Sequence, residues 1–229
     1  MSGLGWVALA ACAFVGSHLV LSHPLREPLH KRVGAGGFMV VYSVVAALTL
    51  TWLVLAYRAA PTVGPLWEVG DGLWAVATVV MLLASILLLG SLIRNPALPS
   101  GPVPAIVPDT ARGVFSITRH PMMWSFALWG AAHILVYPEP ANIVLAGAII
   151  VLALAGSALQ DRKKERLQPG WSAWESRTSY WPFAAVAAGR ARLGGFKPHD
   201  IVGGVVVWLA ATWAHIPLAG WAAGIWRWV

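Results

Sequence analysis

Seven histidines are the main chemistry-bearing groups in a chain of 229 residues with few other reactive side chains. Imidazole titrates near neutral pH and, when neutral, is the commonest metal ligand. His18, His23, His120 and His133 lie in or beside long apolar runs. His30 and His199 sit among basic residues and read as surface side chains, and His215 falls near the end of the last apolar run. Arg119 directly precedes His120 and Pro121, a cationic pair at the start of an apolar run. A helix N-terminus there favours anions, so a phosphate, a carboxylate or a haem propionate would suit it. The plainer alternative is an arginine that snorkels to the membrane surface.

Other chemistries are missing. The chain has no GxxxxGK phosphate loop, no GxGxxG, no HExxH and no serine nucleophile elbow. Its one cysteine, Cys12, allows no internal disulfide and no CxxC site. No pair of carboxylates falls within an apolar run, which disfavours a proton-coupled transporter.

The elements that position these groups follow from composition. Hydrophobic residues make up 58% of the chain and charged residues only 11%. A soluble domain carries roughly 25% charge. The fold class is therefore all-α, a polytopic integral membrane bundle of six spans in a single membrane domain, 1–229. The spans fall at 4–21, 34–57, 72–93, 121–137, 141–159 and 201–218, each close to the ~20 apolar residues that cross a bilayer. A short segment at 220–229 carries Trp221, Trp226 and Trp228 and suits the interface. The first, third and fifth loops hold 14 of the 16 Lys and Arg. The positive-inside rule then places those loops in the cytoplasm and both termini on the outer side of the membrane. Topology accounts for the net charge of +7 without a nucleic-acid partner. The N-terminus lacks the basic start of a cleaved signal peptide.

Punctuation agrees. Pro24 ends the first span and Asn95-Pro96 and Leu98-Pro99 end the third. Pro102, Pro104 and Pro108 mark an extended loop, after which Asp109 or Thr110 is placed to cap a short helix at 111–118. Pro121 opens span four, and Pro138 and Pro140 turn it into span five. The cytoplasmic loop 160–200 carries Trp171, Trp174, Trp181 and Phe183 among basic residues and is expected either to lie on the inner leaflet or to be merely solvated.

Two histidines on different spans suggest haem or metal ligation, against the ordinary alternative of imidazoles satisfied by nearby carbonyls or hydroxyls. Geometry leaves the pairing open. His120 and His133 stand thirteen residues apart, about 20 Å along one helix, too far to share one iron. His18 and His133 differ in expected depth by about 12 Å, so by depth His18 pairs more easily with His120 or His23.

Several segments resemble the NnrU family of bacterial membrane proteins. They are Gly16-Ser17-His18-Leu19 with Ser22-His23-Pro24 and Arg26, then Tyr42-Ser43 and Ala56-Tyr57-Arg58. The most specific is Ile117-Thr118-Arg119-His120-Pro121-Met122-Met123-Trp124 running on to Ala132-His133, and Arg177-Thr178-Ser179 with Pro182-Phe183 follow. The resemblance implies a link to denitrification and nitrogen-oxide metabolism. It also implies kinship with zeta-carotene isomerase, which binds haem b through two histidines. By position those ligands fall on His18 and His133, with Arg119 and His120 left to anchor propionates or substrate. An isomerase-like enzyme acting on an apolar substrate, or a protein that binds nitric oxide, follows from it. The Arg119-His120-Pro121 run is also similar to the motif of isoprenylcysteine carboxyl methyltransferases, implying S-adenosylmethionine at Arg119, His120 and Glu165-Arg166. Met123 stands where that family has an aromatic residue. A non-catalytic membrane scaffold is the third alternative.

Overall fold

A computed structural model describes residues 2–98 and 107–229. Pro99, Pro102 and Pro104 of the expected loop lie outside the described residues. The described chain is helical: α1 (Gly3–Ser22), α2 (Arg26–Ala59), α3 (Asp71–Ser91), α4 (Pro121–Val136), α5 (Pro140–Leu167), α6 (Trp171–Arg177), α7 (Ala184–Ala187) and α8 (Pro198–Ala219). Single 3₁₀ turns occupy Gly113–Ser116 and Gly224–Arg227.

Five helices are long and apolar enough to cross a bilayer, and α4 is a shorter apolar one. At 16 residues α4 spans about 24 Å, a little less than the hydrocarbon core. Prolines bound it, Pro121 at its first position and Pro138 beyond its end. The six helices pack in the order α2–α1–α5–α4–α3–α8. Large apolar side chains such as Val40, Leu48, Leu55, Val76, Val79, Leu83 and Val202 stay exposed, as a lipid-facing surface requires.

Between helices the contacts use small residues, because lipid offers apolar side chains as good a solvent as a neighbouring helix does. Val7, Ala10, Ala11 and Phe14 of α1 pack on Leu53 and Ala56 of α2 and Ala148 of α5. Gly130 of α4 sits so close to α5 that a Cβ there would come within 2.7 Å of Ile150. Gly204 of α8 does the same against the backbone of Ile86 on α3, also at 2.7 Å.

Four boundaries depart from the sequence expectation. Helix α2 begins at Arg26, ahead of the expected span, and breaks at Gly34, whose φ of 72° lies in the left-handed region. Helix α5 runs on to Leu167, since nothing before Pro169 and Gly170 can stop it. The short helix expected at 111–118 is only the 3₁₀ turn Gly113–Ser116. The loop 160–200 is a packed cap. Trp171 and Trp174 are fully buried in a second core with Leu87, Ala97, Val114 and Phe115, so they do not face lipid. Trp181 and Phe183 do remain exposed.

Candidate functional site

The extension of α5 beyond its apolar stretch carries Asp161 to the N-terminus of α4. Its two oxygens divide the neighbouring donors between them. His120 Nε2 donates to Oδ1 at 2.7 Å. Arg119 donates to Oδ2 from Nε at 2.8 Å and from a terminal nitrogen at 2.6 Å. That terminal nitrogen also lies 3.3 Å from Glu175 of α6. His120 and Asp161 are both buried. Charges out of water persist only when paired and hydrogen-bonded, which this arrangement achieves.

The backbone around the cluster is clasped to the cap. Arg119 N–H donates to the Ser179 carbonyl at 2.9 Å, and Phe183 N–H donates to Ile117 O at 2.8 Å. The Thr118 hydroxyl donates to Tyr180 O at 2.7 Å, which also accepts from Trp124 Nε1 at 2.9 Å. The Tyr180 hydroxyl reaches back to Leu154 O of α5 at 2.6 Å. The Glu175 carboxyl is pushed up to about 7, chiefly by burial. Arg119 opposes that rise, while Asp161 and the hydrogen-bonded Glu165 add to it.

An Asp–His pair of this kind orients an imidazole for proton transfer in many enzymes. Here the other ring nitrogen, His120 Nδ1, is buried without a hydrogen-bond partner, and the ring sits between Trp171 and Tyr180. Arg119 and His120 are therefore both engaged with Asp161. Sequence reasoning named both and missed Asp161, Glu175 and Tyr180. One signal was present: Asp161 is the first charge after the apolar run 141–159 and an acid leading a run of bases.

The histidines within the spans share a local geometry. Nδ1 of His18 bonds to Phe14 O at 2.7 Å, that of His133 to Trp129 O at 2.8 Å, and that of His215 to Ala211 O at 2.8 Å. His23 does likewise with Leu19 O at 3.1 Å. A carbonyl only accepts, so Nδ1 carries the proton and Nε2 keeps a free lone pair. Metal-ligating histidines are commonly oriented by this kind of bond.

The structure does not bring His18 and His133 together. His18 packs against Phe14 and Tyr42 where α1 meets α2, with ring centroids 4.4 and 5.5 Å away. His133 lies on α4, and α5 stands between α1 and α4 in the packing order. The neighbour of His133 is His215 of α8, at 6.2 Å between centroids and 35° between planes. Trp129 lies 4.1 Å from His133 on its own helix. Tyr137 and Trp221, 5.5 Å apart, pair at the same end of the bundle, beyond the two histidines. His30 lies near Phe38, and His199 bonds Asp200 at 2.7 Å. No group of three or more His, Cys, Asp or Glu is placed to hold a metal among the described residues.

A polytopic helical membrane bundle with a buried Arg–His–Asp cluster at one end and paired imidazoles at the other is the class these features define. The chain matches the NnrU protein family over residues 6–223 and belongs to that family. No curated protein and no solved structure matches it.

Proposed function

We propose that this NnrU protein binds haem b in the bacterial inner membrane, in nitrogen-oxide metabolism or in isomerase-like redox chemistry. The observation that carries the reading is the His133–His215 pair. Two imidazoles joined through one metal atom by bonds of about 2 Å have ring centroids about 6 Å apart. The observed separation is 6.2 Å, and neither Nε2 has another partner among the described residues. The pair that the family resemblance implied, His18 with His133, has less support here, because the ring neighbours of His18 are Phe14 and Tyr42 while that of His133 across the bundle is His215. His133 is retained as a ligand and His215 takes the second place. Trp129, Tyr137 and Trp221 supply apolar and aromatic walls at that end. A haem held there would supply a redox-active iron, and nitric oxide or a substrate would reach that iron only by displacing one of the two imidazoles.

The chain itself orients both rings through helix carbonyls. The excess of basic residues in the odd-numbered loops supports periplasmic termini, which would set this pair near the periplasmic face. Arg119 and His120 serve here as a structural cluster with Asp161, and the methyltransferase alternative loses its two leading contacts.

The test is the visible spectrum of the detergent-purified protein, as isolated and after haem supplementation. His133→Ala and His215→Ala should each abolish the spectrum of a six-coordinate bis-imidazole haem, while His18→Ala should preserve it. No Soret band under either condition overturns haem binding. Loss in His18→Ala with retention in His215→Ala restores the pair implied by the family and overturns the one proposed here.

A further inference from the structure

Four arginines converge on one cleft at the end of the molecule that carries the basic loops. Arg112, Arg177, Arg190 and Arg192 line a cavity of about 460 Å³, together with Asp109 and the turn Leu193-Gly194-Gly195. The positive-inside rule explains why arginines are abundant at this end but not why four share one cavity.

Two of the four are fixed by backbone. Arg177 donates from one terminal nitrogen to Asp109 O at 2.9 Å. Arg190 donates from one terminal nitrogen to Ser176 O at 2.9 Å and Thr178 O at 3.0 Å, closing the C-terminus of α6. Each leaves its Nε and its other terminal nitrogen without a partner among the described residues. The guanidinium groups of Arg112 and Arg192 make no hydrogen bond or ion pair with the described residues. The single carboxylate in the lining, Asp109, is fully solvated and lies 3.8 Å from Arg177. It cannot neutralise four guanidinium groups.

The loop that shapes the cleft is held in place. Gly113 N–H donates to Gly194 O at 2.7 Å. Gly194 and Gly195 have φ of 152° and 73°, and a Cβ on Gly195 would come within 3.0 Å of the Arg112 stem. Arg112 therefore packs on a backbone that only glycine accommodates comfortably. Guanidinium groups match phosphate oxygens in planar, bidentate fashion.

We propose that this cleft binds a phosphate-bearing anion, with Arg112 and Arg192 as its free contacts and Arg177 and Arg190 as its fixed ones. The same chemistry comes from a phospholipid headgroup or from a soluble phosphate compound. The test uses full-length protein in detergent and reads thermal stability against added pyrophosphate in one arm. The other arm compares nanodiscs of phosphatidylglycerol with nanodiscs of phosphatidylcholine. A shift with pyrophosphate alone assigns a soluble source, and a shift with phosphatidylglycerol alone assigns the lipid. In either arm the Arg112→Ala/Arg192→Ala double variant should weaken apparent affinity by about tenfold or more. Lys31→Ala, at an exposed pair with Glu27, should leave it unchanged. No shift in either arm, or the same shift in the double variant as in the parent, overturns the proposal.

Discussion

Replacing Asp161 with asparagine tests whether the Arg119–His120–Asp161 cluster holds the cap on the bundle. Asparagine keeps the shape and one acceptor oxygen, so packing is nearly conserved and the charge is lost. Arg119 would retain only Glu175, at 3.3 Å, as a charged partner, and its side chain is 13% exposed. His120, with a side chain 1% exposed, would face either an amide oxygen or an amide NH₂ in place of a full carboxylate. Breaking a buried ion pair by removing one partner costs about 3–5 kcal/mol. Partial solvation of Arg119 and the remaining Glu175 contact place the expectation near the low end, about 3 kcal/mol. Unfolding in mixed detergent micelles measures it. The double variant Asp161→Asn/Arg119→Gln should be less destabilised than the sum of the two singles, because each partner alone leaves an unmatched group. Limited trypsin digestion gives a local readout, with cleavage after Arg177 accelerating in Asp161→Asn. Stability within about 0.5 kcal/mol of the parent, or strict additivity in the cycle, would refute the reasoning.

Two further predictions follow from the same geometry. Glu175 is raised from 4.5 to about 7, so its contribution to stability is fully present below pH 4.5 and is lost as pH rises through about 7. Glu175→Gln should therefore flatten the fall in unfolding temperature between about pH 5 and 8, and an unchanged slope would refute the assignment. Gly204→Ala forces a Cβ to within 2.7 Å of the Ile86 backbone and should cost about 1–3 kcal/mol, read in the same micelle titration. The same variant should weaken any haem spectrum that depends on His215, since α8 must move off α3.

The six spans were legible in sequence because apolar length is a one-dimensional property, and the prolines around α4 fixed its ends. The end of α5 was not, because Gln160-Asp161-Arg162 ends an apolar span without ending a helix. That missed turn hid the cluster, since Asp161 reaches His120 only if the helix continues. Trp171 and Trp174 stand three apart on one helical face, which is a packing signal. Their basic surroundings made a membrane-surface role look equally good. The ring neighbour of His133 was not legible for a different reason. Span order and loop charge give the depth of a residue but not which helices are neighbours. His133 and His215 both fall near the same end of their spans, so depth permitted the pair. Only the arrangement of α4, α3 and α8, which sets the two rings 6.2 Å apart although α3 lies between their helices in the packing order, selects it.

That packing order also explains why polar contacts sit at the ends of the bundle. Apolar helices in lipid gain little from sliding in one direction or the other, so axial register must come from close-packed small residues and from polar locks. Each one-residue slip displaces a helix by about 1.5 Å, enough to spoil ligation by two rings. Helix α4 is locked at both ends. Arg119 and His120 bind Asp161 at one end, and at the other Asn142 Nδ2 donates to His133 O at 3.0 Å and Tyr137 O at 2.6 Å. Helix α8 is tied to α3 by the close approach of Gly204 to Ile86 and, beyond its end, by Arg227 holding Asp71 of α3 at 3.1 Å. The two helices that present the facing imidazoles thus have their depths set independently of lipid. On this account the Arg–His–Pro motif is a positioning device for α4, and its loss should act at the far end through register rather than through chemistry of its own.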